Sequence, residues 1–391
     1  MHWKERKAME ARKSFIADCE DNREGFAELC RRHQISRVTG YKWLERFEQE
    51  GEAGLEERSR APHHSPQSMS EAVVAGIVKL RQQHPRWGPR KLQAYLKEHA
   101  PERVWPATSS IGELLRNEGL SHRRVRRRTP PYSQPLGHAE KPNAVWCADF
   151  KGWFRCGDGS RCDPLTTSDA MSRYLLRCRA VEKTDGPHVR GVFEAMFRTY
   201  GLPDAIRTDN GSPFAIPAPG GLSRLSMWWI RLGIRHERIE PGCPEQNGRH
   251  ERMHQTLKQE TASPPRATLR QQQSAFDRFE QEYNWERPHE ALQYRVPGAL
   301  YEVSSRPYPS RDPEIVYPAH MHVRWISQQG SLKWRMRRTF LSEVLARQAV
   351  GLLEVEEDIL EVYYGPVLLG WLEADSGIFL VDRGPGRRRR P

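Results

Sequence analysis

The sequence predicts a multidomain protein: two tandem three-helix units of helix-turn-helix type, then a mixed-sheet α/β core, then a small all-β, barrel-like C-terminal domain. Three observations carry this. At 391 residues the chain exceeds what one hydrophobic core organises before it splits. Its apolar periodicity is helical to about residue 120, mixed from 144 to 300, and strand-like in short pieces from 315. Two stretches that cannot build a core, one rich in Pro, His and Ser and one in Arg and Pro, divide the parts.

The first unit, residues 1–52, reads as three short helices between 8 and 49. Ser36 is a good N-cap for the clearest of them, which puts Gly40, Trp43, Leu44 and Phe47 on one face. Thr39, Tyr41, Lys42 and Arg46 face the other way and are candidates to touch DNA. A helix around Phe26 to Arg32 and a tight connection at Gln34 and Ile35 complete a helix-turn-helix pattern. Residues 53–68 are a linker. The second unit, 69–120, repeats the pattern with Val73, Val74, Ile77 and Leu80 at helical spacing, a break at Trp87-Gly88-Pro89, and a last helix in which Ser110 and Glu113 are spaced as a capping box. One continuous helical bundle is the alternative to two units.

Residues 121–142 carry Arg123, Arg124, Arg126, Arg127 and Arg128 ahead of Pro130, Pro131 and Pro135, a linker suited to following phosphates. The core, 143–300, opens with a strand from Val145 to Arg155, a hairpin turn at Asp158-Gly159, and strands near 161–169 and 173–181. A helix with Val189, Val192, Phe193, Met196, Phe197 and Tyr200 follows, and helices and short strands alternate to about 284. After a linker at 301–314, the β domain spans 315–383, and 384–391 is a basic tail.

Charge narrows the partner. The net charge is +12 and the pI near 9.5, so a polyanion is favoured by long-range attraction. Residues 1–142 hold 27 Lys and Arg against 19 Asp and Glu, which concentrates the excess there. No run approaches the roughly 20 apolar residues that span a bilayer, and the polar start lacks a signal-peptide core, so no membrane contact and a cytoplasmic, nucleoid-associated location are expected. Seven scattered cysteines, none spaced C-x-x-C, exclude a disulfide framework and a four-ligand zinc site. The isolated Cys30 and His33 read as helix surface.

Three carboxylates attract attention. Asp149 lies in the middle of a strand expected to be buried on both sides, where an ionised carboxylate is costly unless something positive meets it. Asp209 follows the next core strand in an Asp-Asn-Gly turn, at the edge where open sheets place their chemistry; by itself the tripeptide is an ordinary turn. On the helix after Pro244, a wheel of about 100° per residue places Asn247, Glu251, His254 and Lys258 on one polar stripe, with Asn247, His254 and Lys258 as candidates to touch DNA. Glu245 falls off that stripe, in the first turn, where the helix dipole alone accounts for a negative side chain. Carboxylates so arranged suit two hard divalent ions, Mg²⁺ with Mn²⁺ as a substitute, in an in-line phosphoryl transfer. No small-molecule cofactor is expected.

These segments, WCADFKGW at 146–153, RTDNGSPF at 207–214, PGCPEQNGRHERMHQTLK at 241–258 and NWERPHEAL at 284–292, resemble the DDE recombinases, and more closely the bacterial insertion-sequence transposases with a retroviral-integrase-type core. The resemblance implies an RNase H-like core, metal binding by Asp149, Asp209 and Glu251, and DNA contact by Lys258. It also implies transposon-end and target DNA as substrates and a multimer assembled on DNA. A departure is the spacing: thirty-five residues often separate the second Asp and the Glu in such cores, which Asp209 and Glu245 satisfy, whereas the Pro-x-x-x-Gly-x-x-Glu run selects Glu251. The expected activity is exposure of 3′ hydroxyls by hydrolysis and their joining to target DNA. A DNA-binding regulator with an idle core and a nuclease that does not join are the competing readings.

Overall fold

A computed structural model describes residues 2–21, 23–58, 69–121, 139–240 and 248–381. The Arg cluster from Arg123 to Arg128, Asn247, Glu245 and the basic tail lie outside the described residues. The chain divides into two compact units, 1–70 and 71–391.

In the first unit α1 (His2–Glu20), α2 (Phe26–Arg32) and α3 (Arg37–Glu50) enclose Phe15, Ile16, Leu29, Cys30, Trp43 and Leu55. The first helix is longer than the short one expected. Ser36 caps α3 by accepting the Thr39 N–H at 3.1 Å, as its residue type requires. The turn between α2 and α3 passes through Gln34 at φ 54°, and Ile35 N–H closes it on the Cys30 carbonyl. Gly40 lets α3 approach α2, since a Cβ there would lie 2.7 Å from Cys30 Sγ.

The second unit begins with α4 (Glu71–Gln83), α5 (Pro89–His99) and α6 (Thr108–Asn117), which bury Ile77, Leu92 and Ile111. The Ser110–Glu113 capping box does not form, because α6 starts three residues earlier with Ala107 as its N-cap. Pro106 lies just ahead of Ala107, in the extended approach to that start. These helices sit on the core: His84 Nδ1 is 3.0 Å from Glu282 Oε1 and Arg90 is 2.9 Å from Glu290.

The core sheet runs β2 (Phe154–Arg155), β3 (Arg161–Asp169), β1 (Val145–Phe150), β5 (Ala205–Thr208), β6 (Arg235–Arg238), with β4 (Leu175–Val181) also on β3. β1 pairs antiparallel with β3 and parallel with β5, which pairs parallel with β6. This is the mixed, RNase H-like sheet expected from the alternation of strands and helices. The single strand expected from Val145 to Arg155 is interrupted, because Gly152 turns into the left-handed region at φ 86°.

On one face α7 (Gly186–Tyr200) and α8 (Arg224–Arg231) pack Phe193, Phe197, Trp228 and Trp229 against Trp146 and Ile206. On the other, α9 (Gly248–Thr261) and α10 (Leu269–Trp285) pack Met253, Leu257, Phe276 and Phe279 against Leu175 and Cys178. The C-terminal part is a five-stranded antiparallel sheet, in the order β13 (Phe379–Leu380), β12 (Val367–Glu373), β11 (Ile359–Tyr364), β10 (Ala349–Glu356), β7 (His322–Trp325). A hairpin of β8 (Ser331–Trp334) and β9 (Arg337–Phe340) adjoins it, and its core reaches Met227 and Ile230 of α8.

The outer edge of β4 is closed by side chains of α10. Asn284 exchanges two hydrogen bonds with the Leu175 backbone, Glu280 accepts the Cys178 N–H, and Gln273 accepts the Ala180 N–H at 2.8 Å while donating to the Cys178 carbonyl. Burial pushes the Glu280 carboxyl up to about 7, against the Arg177 guanidinium and the Cys178 N–H that lower it. A carboxyl raised on folding contributes stability that is fully present below its ordinary value of 4.5 and lost as pH rises through about 7. Glu280→Gln retains an acceptor for Cys178, so its urea-unfolding free energy should fall less than the wild type's over that interval, by about 2–3 kcal/mol. Equal pH slopes in the two proteins would refute it.

Candidate active site

The register of two parallel strands builds the site. Cys147 of β1 is paired with Arg207 of β5, and each strand has an Asp two residues further on, Asp149 and Asp209. Parallel neighbours run about 4.8 Å apart, so the two carboxylates emerge side by side at the same sheet edge. Asp149 is not in the doubly buried middle expected for it. β1 ends at Phe150, and the Asp149 side chain keeps 19% of its exposure. Asp209 begins the turn foreseen for it: its Oδ1 accepts the Gly211 N–H at 3.2 Å, and Asn210 Nδ2 donates to the Ile239 carbonyl.

The third acid arrives on α9, which is anchored to the strand beside β1. Thr166 of β3 is the register partner of Asp149. Its hydroxyl donates to the Asp149 carbonyl at 3.1 Å and lies 2.6 Å from both His250 Nε2 and His254 Nε2. The single Thr166 proton is committed to that carbonyl, so both imidazoles donate through Nε2. Ser168 Oγ then meets the free Nδ1 of His250 at 3.1 Å. Burial pushes His250 down to about 3 and His254 down to about 2, so both rings are neutral at physiological pH.

Glu251, between the two anchors, is exposed, and with Asp209 it acts on Asp149 by charge. The Asp149 carboxyl is pushed up to about 7, first by burial, then by the Asp209 charge and to a smaller extent by Glu251. Crowded acids of this kind are what a divalent cation relieves. The neutral His254 turns its Nδ1 toward Asp149 Oδ2, 3.9 Å away. Among the described residues no three His, Cys, Asp or Glu side chains stand close enough together to hold a metal ion, so the structure brings Asp149 and Asp209 side by side without closing the third acid onto them.

The structure separates the polar stripe expected on α9. Glu251 and Lys258 face outward, whereas His254 is 5% exposed and turned to the sheet, so it cannot line a DNA surface. Thr166 and His250 were not singled out from sequence. The signal available was the spacing of His250 and His254, one helical turn apart.

In the first unit Tyr41 is exposed and stacks on Phe26 with ring centroids 4.2 Å apart, and Lys42 is exposed with its ammonium 4.8 Å from the Trp43 ring. Arg46 lies half-buried over the same ring, and Thr39 is tied to the Ser36 cap. No helix among the described residues is long and apolar enough to cross a membrane.

Comparison with known proteins agrees with this construction. Residues 139–244 and 232–297 match integrase core domain families, 13–63 a helix-turn-helix domain, and 39–115 a homeodomain-like domain. The chain is 28% identical over 236 residues to the insertion element IS407 uncharacterized 31.7 kDa protein of Burkholderia multivorans, covering 60% of this chain and 82% of that one. It is 28% identical over 244 residues to the insertion element IS476 uncharacterized 39.2 kDa protein of Xanthomonas euvesicatoria, covering 62% and 67%. Similar solved structures include a simian T-cell lymphotropic virus intasome (TM-score 0.36, 19% identity, 75% of this chain and 97% of that one). Another is the HTLV-2 integrase catalytic core with magnesium (0.34, 16%, 43% and 100%). Residues 139–297 thus match integrase core domain models, and residues 13–115 match helix-turn-helix and homeodomain-like models.

Proposed function

We propose that the protein is a DNA transposase that cuts at the ends of its element and joins the exposed 3′ hydroxyls to target DNA. The observation that carries this is the matched register that sets Asp149 beside Asp209, with the charge of Glu251 on α9 near enough to act on Asp149. Asp149, Asp209 and Glu251 would hold Mg²⁺ or Mn²⁺, two ions per site. When bound, such ions activate the attacking oxygen and stabilise the leaving one. The chain's own part is to orient the three acids: β1 and β5 fix the first two, and the contacts of His250 and His254 with Thr166 set the height of the third.

Lys258, outward on the same helix as Glu251, meets a backbone phosphate. Residues 1–70, with Thr39, Tyr41, Lys42 and Arg46 on or beside the third helix, read the element end. The basic stretch from Arg123 to Arg128 and Asn247 add contacts to the backbone. Joining two ends in concert calls for several copies assembled on DNA, in the cytoplasm and on the nucleoid.

The test is incubation with labelled element-end duplex, a target duplex and Mg²⁺. Products longer than the labelled strand identify joining; shortened strands alone would identify a nuclease, and unchanged strands with retained binding a regulator. Because α4–α6 sit on the core, the informative truncation stops at residue 70. Removal of 1–70 should lower the preference for end over random DNA by about tenfold or more, as read by competition binding, and leave a weak salt-sensitive affinity. Undiminished preference would place recognition elsewhere.

A further inference from the structure

Beside the carboxylates the structure holds a cavity of about 160 Å³ that the catalytic reading leaves unused. Its walls include Phe154, Pro164 and Leu257, with Trp153 and the two lysines Lys151 and Lys258. Each lysine lies near a proposed catalytic acid in sequence: Lys151 follows Asp149 by two residues, just past the end of β1, and Lys258 follows Glu251 by seven, two helical turns along α9. The charge of Lys151, in the cavity wall, acts on Asp149, so that wall lies near the proposed cutting site. Among the described residues neither lysine has a carboxylate within 4 Å in an ion pair, whereas many of the arginines do.

Trp153 is a large indole left 56% exposed, on the short segment between β1 and β2 that Gly152 redirects. Arg161 and Arg155 lie 5.1 and 5.9 Å from its ring, which adds positive charge around an aromatic surface. The volume is well short of the roughly 300–1,000 Å³ of ordinary small-molecule sites, but it accommodates one flat heterocycle. A flat apolar face combined with a negative charge one sugar away describes a nucleotide, and stacking on an exposed aromatic beside lysines is how single-stranded nucleic acid is held.

We infer that this cavity takes one unpaired nucleobase of the DNA strand being cut or joined, stacked on Trp153, with its flanking phosphates on Lys151 and Lys258. The inference rests on the transposase reading and adds to it a base-binding subsite that holds the strand end splayed from the duplex. Unstacking costs least at a frayed or single-stranded end, so the subsite favours ends over continuous duplex.

The experiment uses the full-length protein and a duplex with a three-nucleotide 3′ extension in which each extension base in turn is 5-iododeoxyuridine. Binding is followed by anisotropy, and protein is added to saturation before irradiation. One extension position should crosslink to the peptide carrying Trp153, identified by mass spectrometry. Trp153→Ala should reduce that crosslink about fivefold or more at equal DNA occupancy, and Trp153→Phe should restore most of it. Lys151→Ala should weaken binding of the extended duplex more than that of a blunt one. Crosslinks only at other peptides, or equal yield from Trp153→Ala, would overturn the subsite while leaving the transposase reading intact. Failure of the wild type to bind either duplex would remove both.

Discussion

Asp149→Asn should abolish cleavage and joining together while making the metal-free protein more stable. The first effect follows from the proposed metal role of the three acids: losing one oxygen ligand would remove several kcal/mol of charge stabilisation, about three orders of magnitude in rate or more. Asp209→Asn and Glu251→Gln should act alike, and Glu245→Gln should be close to wild type. The second effect follows from the crowding that holds the Asp149 carboxyl high, since an amide of the same shape costs less to bury than a charge and escapes like-charge repulsion. In EDTA the Asn variant should gain about 1–3 kcal/mol at neutral pH, read by thermal unfolding. Adding Mg²⁺ should raise the wild-type midpoint and leave the variant's nearly unmoved. An inactive variant that gained no stability and still responded to Mg²⁺ would show that the acids are not a metal site.

The largest structural effect is expected at Trp229. This side chain of α8 is fully buried, with its ring centroid 4.9 Å from Phe193 of α7, 6.2 Å from Phe214 and 5.3 Å from His236 of β6. It joins helix, strand and the loop that follows Asp209. Trp229→Ala should cost about 3–5 kcal/mol, enough to unfold much of the second unit at 37 °C, with the loss visible in denaturant midpoint and near-ultraviolet dichroism. Trp229→Phe should cost far less. The indole nitrogen has no hydrogen-bond partner among the described residues, so its removal relieves an orphaned donor while the ring contacts persist. Comparable losses in the two variants would mean that the core depends on the full volume of the indole, which a phenyl ring does not fill.

How far the sequence discloses this molecule depends on the range of the interactions. Ser36, Gly40 and the turn after Asp209 were legible because each is decided within a few residues. Asp149 was legible as a costly acid but misplaced within its strand. The apolar run through Trp153 and Phe154 masks the break at Gly152, and alternation alone does not show where a strand stops.

His254 was misassigned for a geometric reason. On the helical wheel His250, Met253, His254, Leu257 and Thr261 form one arc, and His254 is at its rim, about 60° from Glu251. The wheel gives the angle. Which side of the rim is covered was set by Thr166, eighty-eight residues away in sequence. Long range also hid the seating of α4–α6 on the core, since its ion pairs join residues 198 and 200 positions apart.

The side-chain closure of β4 has a consequence for assembly. A strand with free amide and carbonyl groups invites another copy to extend the sheet. Here Gln273, Glu280 and Asn284 already occupy those groups, so the catalytic sheet cannot grow into a neighbour along that margin. Copies of the proposed transposase that gathered on two DNA ends would have to meet away from this margin.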